Sequence, residues 1–137
     1  MYQKILIPMA LDHGIAAQAL EAARALLNDG GAITALHVYP QPEGAVSAYL
    51  DENVVRAAYQ DAEAKLAERA QGQSDVTAVM RVGHAARTIL DYAKEMDADC
   101  IVIGSHKPGF SDYLLGTTSS RVVRHANCHV LVMRPKS

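Results

Sequence analysis

The sequence is poor in cysteine, with only Cys100 and Cys128 among its 137 residues. Two thiols cannot build a disulfide framework, and the familiar metal sites need more cysteine or histidine at short spacing. Both cysteines stand at the start of apolar runs, so we expect buried free thiols in a reducing compartment. We therefore predict no metal site built from protein side chains.

Long apolar runs and a strong charge of one sign are also missing. No run is long enough to span a bilayer, and the apolar part of MYQKILIPMALDHG is too short for a signal peptide and lacks a cleavage site. The formal net charge of −2 gives no electrostatic reason to expect binding to nucleic acid or to a membrane surface. We expect a cytoplasmic protein.

What the sequence does have is the composition of an ordinary globular domain. Half of its residues are apolar and a fifth are charged. A chain of this length buries roughly 70% of its unfolded surface, which is enough for a core without disulfides. We predict a single domain over residues 1–137, with no linker.

Five short apolar runs alternate with four amphipathic segments. The runs are typical of buried strands of a parallel sheet, and in chain order they are KILIPM, AITALHVYP, VTAVMRV, DCIVIG and CHVLVMR. The segments between them repeat apolar residues with a helical period. The first helix is expected to stop at Asn28–Gly30, and the last, TSSRVVRHA, to begin at a hydroxyl cap. The order βαβαβαβαβ predicts an α/β fold, a doubly wound five-stranded parallel sheet with helices on both faces.

The last strand is apolar on both of its faces. Val130 and Val132 lie on one side of it, and Leu131 and Met133 on the other. A chain-terminal strand is often at a sheet edge, where an uncovered apolar strand favours association. One interpretation is that a second copy covers this edge in a symmetric dimer. The other is that the strand lies inside the sheet, and the pattern of residues leaves both open.

The stretch GSHKPGFSDYLLGTTSS joins the fourth apolar run to the last helix. Ligands of open parallel sheets bind beyond the carboxyl ends of the strands, and a helix start attracts anions through its unpaired N–H groups and its dipole. Gly104 and Gly116 let the backbone approach an anion. Thr117 and Thr118 can donate hydrogen bonds to it, and Lys107 adds a positive charge. The composition therefore favours a phosphate site.

The same stretch has a simpler interpretation. Threonine and serine at the start of a helix are most often N-caps, and glycine after a strand is often only a turn. The stretch is not a Walker A loop, because its lysine does not follow a glycine with a hydroxyl directly behind it, and it does not match the dinucleotide-binding fingerprint. On spacing alone, phosphate binding and plain capping are equally open.

Over its whole length the sequence resembles the universal stress proteins, a family of small α/β domains of which many bind ATP. The similar parts are KILIPM, ALHVYP and above all DCIVIGSHKPGFSDYLLGTTSSRVVRHANCHVLVMR. The resemblance is to a single-domain, ATP-binding type of member whose loop is shortened around SHKP. It implies a strand order of 3-2-1-4-5, dimerisation through the last strand (Val130–Met133) and a regulatory role in the response to stress.

The sequence departs from the family's ATP-binding signature, written G-x2-G-x9-G-[S/T]. Gly104 matches the first glycine and Gly116-Thr117 the last pair. Lys107 stands in place of the second glycine, and the interval is one residue short. The resemblance therefore implies nucleotide binding by an altered loop.

For the nucleoside, the resemblance places Met9 and Ala10 at its border and Val38 against the adenine. The family usually has an acidic residue two positions after the proline of the first strand, and here that position is Ala10, with Asp12 two residues later. Either Asp12 takes over this contact from a shifted loop, or the ribose and base are held more weakly. The alternative for Val38 is an ordinary core position.

For the path from ribose to phosphates, the resemblance assigns Ile103, Gly104 and His106. The resemblance implies that the phosphates are bound by Lys107, Gly116, Thr117 and Thr118. A divalent cation such as Mg²⁺ is expected to bridge a triphosphate, because one lysine does not offset its charge. The alternatives are ordinary core for Ile103 and a solvent-facing loop position for His106.

No catalytic arrangement accompanies these residues. The histidines are scattered without a Ser-His-acid order or a nucleophile elbow, and His125 is better placed to cap the carboxyl end of the last helix than to act as a base. We predict a regulatory homodimer that binds ATP, with ADP or AMP not distinguished from it, and an unidentified protein partner. The alternatives left open are an interaction module of the same fold that binds no nucleotide and, less favoured, a slow ATP hydrolase.

Overall fold

A computed structural model describes residues 1–11, 14–41, 51–104 and 115–134. Strands and helices alternate along these residues as predicted. The elements are β1 (Tyr2–Pro8), α1 (Ala17–Leu26), β2 (Leu27–Tyr39), α2 (Glu52–Arg69), β3 (Val76–Val82), α3 (Ala85–Glu95), β4 (Cys100–Gly104), α4 (Thr117–His125) and β5 (His129–Met133).

The five strands pair in parallel in the order β3-β2-β1-β4-β5. This confirms the doubly wound α/β fold and the strand order implied by the resemblance. β1 and β4 are the two neighbours between which the winding of the chain reverses. β5 lies at an edge of the described sheet, so the alternative that placed it inside the sheet is wrong.

The central strands are buried on both faces. Ile5 and Val102 are fully buried in a cluster on the side that α1 covers. Leu6 and Ile101 are fully buried in a second cluster, on the side covered by α3 and α4. Burying a side chain of this size contributes roughly 1.5–3 kcal/mol. The uniformly apolar runs of the sequence thus correspond to strands enclosed between two helical layers.

The junction of α1 and β2 differs from the prediction. The helix ends at Leu26 and the strand begins at the next residue, so that Asn28–Gly30 belongs to β2 and does not stop the helix. The pairing with β1 shifts here, from Tyr2 opposite Leu27 to Lys4 opposite Ala32. Gly30 has a φ of +79°, a left-handed conformation that glycine adopts without strain. The extra residues are therefore absorbed as an irregular start of the strand.

Asp99, directly before β4, holds the amino ends of the two central strands together. Its Oδ2 accepts hydrogen bonds from the backbone N–H groups of Gln3 (2.7 Å) and Lys4 (2.9 Å). Its own N–H donates to the carbonyl of Lys4 at 2.8 Å. The N–H of Lys4, and then that of Gln3, hold the pKa of the Asp99 carboxyl below its ordinary value.

Both cysteines are free, Cys100 buried and Cys128 half-buried, and burial raises the pKa of each thiol. Among the described residues, no group of three His, Cys, Asp or Glu side chains could hold a metal ion. None of the described helices is both long and apolar enough to cross a membrane.

The Asp99→Asn variant tests the link between β1 and β4. An amide oxygen is a weaker acceptor than a carboxylate, so we expect a lower urea midpoint at pH 7 than in the wild type. Because the folded pKa lies below the unfolded value of about 4, the contribution of Asp99 is complete above that value and is lost as the pH falls through the folded pKa. Asp99→Asn should therefore show a shallower loss of stability on acidification.

Asp29→Asn is the control, because Asp29 is an exposed carboxylate on the irregular start of β2. Urea titrations of both variants between pH 7 and pH 2 provide the measurement. Equal midpoints and equal acid profiles for the two variants would contradict the role assigned to Asp99.

Candidate functional site

The two central strands part at their carboxyl ends, and we call the space between them there the crevice. β1 pairs with β4 only at Ile5–Cys100 and Leu6–Ile101, whereas its pairing with β2 continues to Pro8–Leu36. Pro8 ends β1 and has no N–H to donate. The strand order reverses at this point, which is where open parallel sheets bind their ligands.

The start of α4 is fixed beside the end of β4 by one buried hydroxyl. Ser119 is 7% exposed, and its Oγ donates to the carbonyl oxygen of Gly104 at 2.5 Å. The neighbouring Ser120 donates to the carbonyl of Leu115 at 3.2 Å. Two of the four consecutive hydroxyls therefore hold the helix start in place and are not available to a ligand.

The prediction that α4 begins at a hydroxyl cap is wrong. The N-cap is Gly116, no side chain caps the helix, and Thr117 is already its first residue. The first helical hydrogen bond runs from the N–H of Ser120 to the carbonyl of Gly116 at 2.8 Å. The N–H groups before it have no helical acceptor and lie at the positive end of the helix dipole. This end of α4 can therefore accept an anion.

Gly104, at the end of β4, is exposed, and a Cβ on it would meet no described atom within 4 Å. Its φ is not in the left-handed region. Within the described part of the chain, neither packing nor backbone conformation thus requires glycine here. The described residues therefore leave room beside the backbone of Gly104, which a ligand such as a phosphate group needs for a close approach.

The residues predicted for the nucleoside lie at the same edge of the sheet, directly after β1 and on β2. Met9 follows β1, donates from its N–H to Leu36 O at 2.8 Å and lies with its carbonyl 3.2 Å from Nδ1 of His37. Ala10 is exposed. Val38 is half-buried and packs against the second core cluster.

Ile103, predicted for the ribose-to-phosphate path, is 5% exposed and belongs to the second core cluster. Its side chain is therefore a core side chain, and only its backbone can face the crevice. His106, Lys107 and Asp12 lie outside the described residues, so their predicted roles stay predictions. The structure thus brings Met9, Ala10, Val38, Gly104 and Gly116–Thr118 to one end of the sheet.

Arg69 was missed by sequence reasoning. From the last turn of α2 its Nε donates to the carbonyl of Leu11 at 3.0 Å, across 58 residues of sequence. Gly14 lies against its stem, because a Cβ there would be 3.3 Å from Arg69 Cδ. The N–H of Gly14 donates back to Ala10 at 2.9 Å, so Arg69 holds the segment that follows β1. An arginine on an amphipathic helix carries no signal in the sequence for such a contact.

Comparison with known proteins gives one family. The sequence model of the family described as "Universal stress protein family" matches residues 1–134 of this chain. Universal stress protein G of Shigella flexneri is 31% identical over 145 aligned positions, which cover 98% of this chain and 100% of that protein.

Solved structures agree with this comparison. Universal stress protein UspA from Lactobacillus plantarum superposes with a TM-score of 0.70 at 27% identity, over 97% of this chain and 98% of that one. A universal stress protein in complex with cAMP has the same fold, with a TM-score of 0.59 at 22% identity and 98% coverage of both chains.

Ser119→Ala tests the link between β4 and α4. Loss of the buried hydroxyl removes its hydrogen bond to Gly104, so we expect a loss of about 1 kcal/mol in the free energy of unfolding. We also expect faster amide hydrogen exchange in the first turn of α4. Ser120→Ala is the matched control, because that hydroxyl is half-buried and its bond is longer. A larger effect of Ser120→Ala would contradict the assignment.

Proposed function

Because the chain belongs to the universal stress protein family, we propose that it binds an adenine nucleotide, ATP in the first place, in the crevice between β1 and β4. The observation that carries the proposal is the uncapped start of α4, fixed by Ser119 beside Gly104 at the carboxyl end of a central strand. Unpaired N–H groups, the helix dipole and an open backbone are together suited to phosphate oxygens.

The distribution of residues around the crevice fits a whole nucleotide. The phosphates lie at Gly104 and Gly116–Thr118, where Thr118 is half-buried and Thr117 exposed. The nucleoside lies towards β2, over Met9, Ala10 and Val38. The universal stress protein in complex with cAMP supports this proposal, because it is a protein of the same fold that binds an adenine nucleotide. Lys107 and a bridging Mg²⁺ complete the phosphate site in this proposal.

One observation favours the alternative, an interaction module that binds no nucleotide. Ala10 is exposed at the exit of β1 and offers no carboxylate to the ribose hydroxyls. A nucleotide in this chain is therefore held mainly through its phosphates. We propose that the affinity is lower than an acidic residue at this position would give.

We further propose that the protein is a homodimer joined through β5, and that nucleotide occupancy regulates its association with a partner protein under stress. β5 is the edge strand beside β4, and Val130, Leu131, Val132 and Met133 are each only half-buried in the single chain. Antiparallel pairing of two copies would cover this edge and complete the burial of these side chains.

Gly104→Ala tests the nucleotide site. A Cβ at Gly104 meets no described protein atom, so we expect an unchanged free energy of unfolding in the absence of ligand. The same Cβ intrudes on a bound phosphate, so we expect calorimetry with Mg-ATP to show an affinity about tenfold lower.

Ala10→Asp should act in the opposite direction, raising the affinity for ATP and leaving that for inorganic tripolyphosphate unchanged.

The wild type provides the decisive control for this experiment. If the purified protein carries no nucleotide by mass spectrometry and millimolar Mg-ATP gives neither heat nor a thermal shift, the nucleotide proposal fails. The interaction module is then the better description. If the wild type and Gly104→Ala bind Mg-ATP with equal affinity, the phosphates do not bind next to Gly104, and the proposed position of the phosphate site is wrong.

Leu131→Lys tests the dimer. A charge on the apolar edge strand disfavours pairing with a second copy, so light scattering should give the mass of one chain, 14.7 kDa, against twice that value for the wild type. Val82→Lys is the matched control, since Val82 ends the opposite edge strand β3 and is 47% exposed. A monomeric wild type, or a folded Leu131→Lys dimer, would refute the proposal.

A further inference from the structure

A basic groove runs between α3 and α4 on the outer side of their layer. Its volume is about 520 Å³, its floor includes Ala86 and Leu90, and its walls carry Arg87 and Lys94 from α3 and Arg121 from α4. This interhelical groove lies along the flank of α4, whereas the proposed nucleotide site lies at the start of that helix.

The positive charge in the groove is not neutralised by the rest of the described chain. Three permanent cations face one carboxylate, Asp91. Among the described residues, none of Arg87, Lys94 and Arg121 forms an ion pair, whereas the cations that do are on other parts of the surface. Because the whole chain has a net charge of −2, this local excess is a specific feature of the groove.

The groove continues into a deeper cavity at the carboxyl ends of the two helices. This end cavity has a volume of about 250 Å³ and shares Leu90, Lys94 and His125 with the groove. Ile101 and the half-buried Cys128 also line it, and so do the polar side chains of Asp97 and Asn127. The volume is below the range of drug-sized ligand sites, about 300–1,000 Å³, so the end cavity suits a single side chain, and an apolar one would pack against Leu90, Ile101 and Cys128.

We propose that the interhelical groove binds an acidic peptide segment of a partner protein, with one apolar side chain anchored in the end cavity. Carboxylates along the peptide meet the three cations of the walls, and the anchor buries apolar surface, a combination that supplies both steering and affinity. This is the helix-in-groove or extended-peptide form of recognition. The proposal does not depend on nucleotide binding.

Nucleic acid fits the groove less well than a peptide does. Among the described residues that line the groove there is no Tyr, Phe or Trp to stack on bases, and the negative net charge of the chain opposes a long polyanion. The apolar floor would be left without a partner by a sugar-phosphate backbone.

The test uses a phage-displayed library of random twelve-residue peptides, long enough to cover α3, which spans roughly 16 Å. We expect enrichment of acidic sequences that share one apolar residue. Synthetic peptides from this selection should bind the Arg87→Glu/Arg121→Glu variant at least about tenfold more weakly by fluorescence anisotropy. Arg56→Glu/Lys65→Glu on α2 is the matched control, because it changes the net charge equally at exposed positions and should keep the wild-type affinity.

Alkylation of Cys128 locates the anchor. A bound peptide should slow the reaction of Cys128 with iodoacetamide, followed by mass spectrometry, and replacing the shared apolar residue of the peptide by alanine should remove this protection. The proposal is overturned by selected peptides without acidic enrichment, by equal weakening in both double variants, or by unchanged alkylation. A single-stranded oligonucleotide that displaces the peptides at lower concentration would also overturn it, in favour of nucleic acid.

Discussion

Burial of β1 and β4 on both faces is the constraint on which the rest of the structure depends. Neither strand has a side that can face water, so helices must cover the sheet above and below. Parallel neighbours also require crossover connections that are long enough to hold a helix. With β2 and β3 added beside β1, and β5 beside β4, the winding reverses between the two central strands. A crevice at their carboxyl ends is then a consequence of the core.

The same pair of strands is closed at one end and open at the other. At the amino ends, Asp99 joins β1 to β4 through two backbone N–H groups. At the carboxyl ends, pairing stops after Leu6 and Ile101, and β4 is joined through Ser119 to the start of α4. The closed end fixes the spacing of the strands, and the open end places an uncapped helix start next to exposed backbone. The site therefore requires no distortion of the sheet.

The alternation of strands and helices and the positions of the central strands could be predicted from the sequence. A short, uniformly apolar run in an α/β protein is typical of a strand that is buried on both faces. The strand order came from the family resemblance, since periodicity does not say which strands are neighbours. The cap of α4 was predicted wrongly because glycine and threonine are both common at helix starts, and only the backbone shows which of them is the N-cap. Arg69 could not be predicted at all, because its partner is 58 residues away in the sequence.

The two proposed sites share one short helix. α4 has nine residues, so its ends are roughly 13 Å apart. That distance exceeds the Debye length of about 8 Å at physiological ionic strength, so an anion at the start of α4 and a carboxylate near its end repel each other only weakly through solvent. Coupling between the sites must therefore pass through the position of the helix itself, which the buried Val122 and the Ser119–Gly104 bond determine. Under the two proposals, a ligand that binds best with α4 held against β4 at one site would strengthen binding at the other, and the effect would be reciprocal.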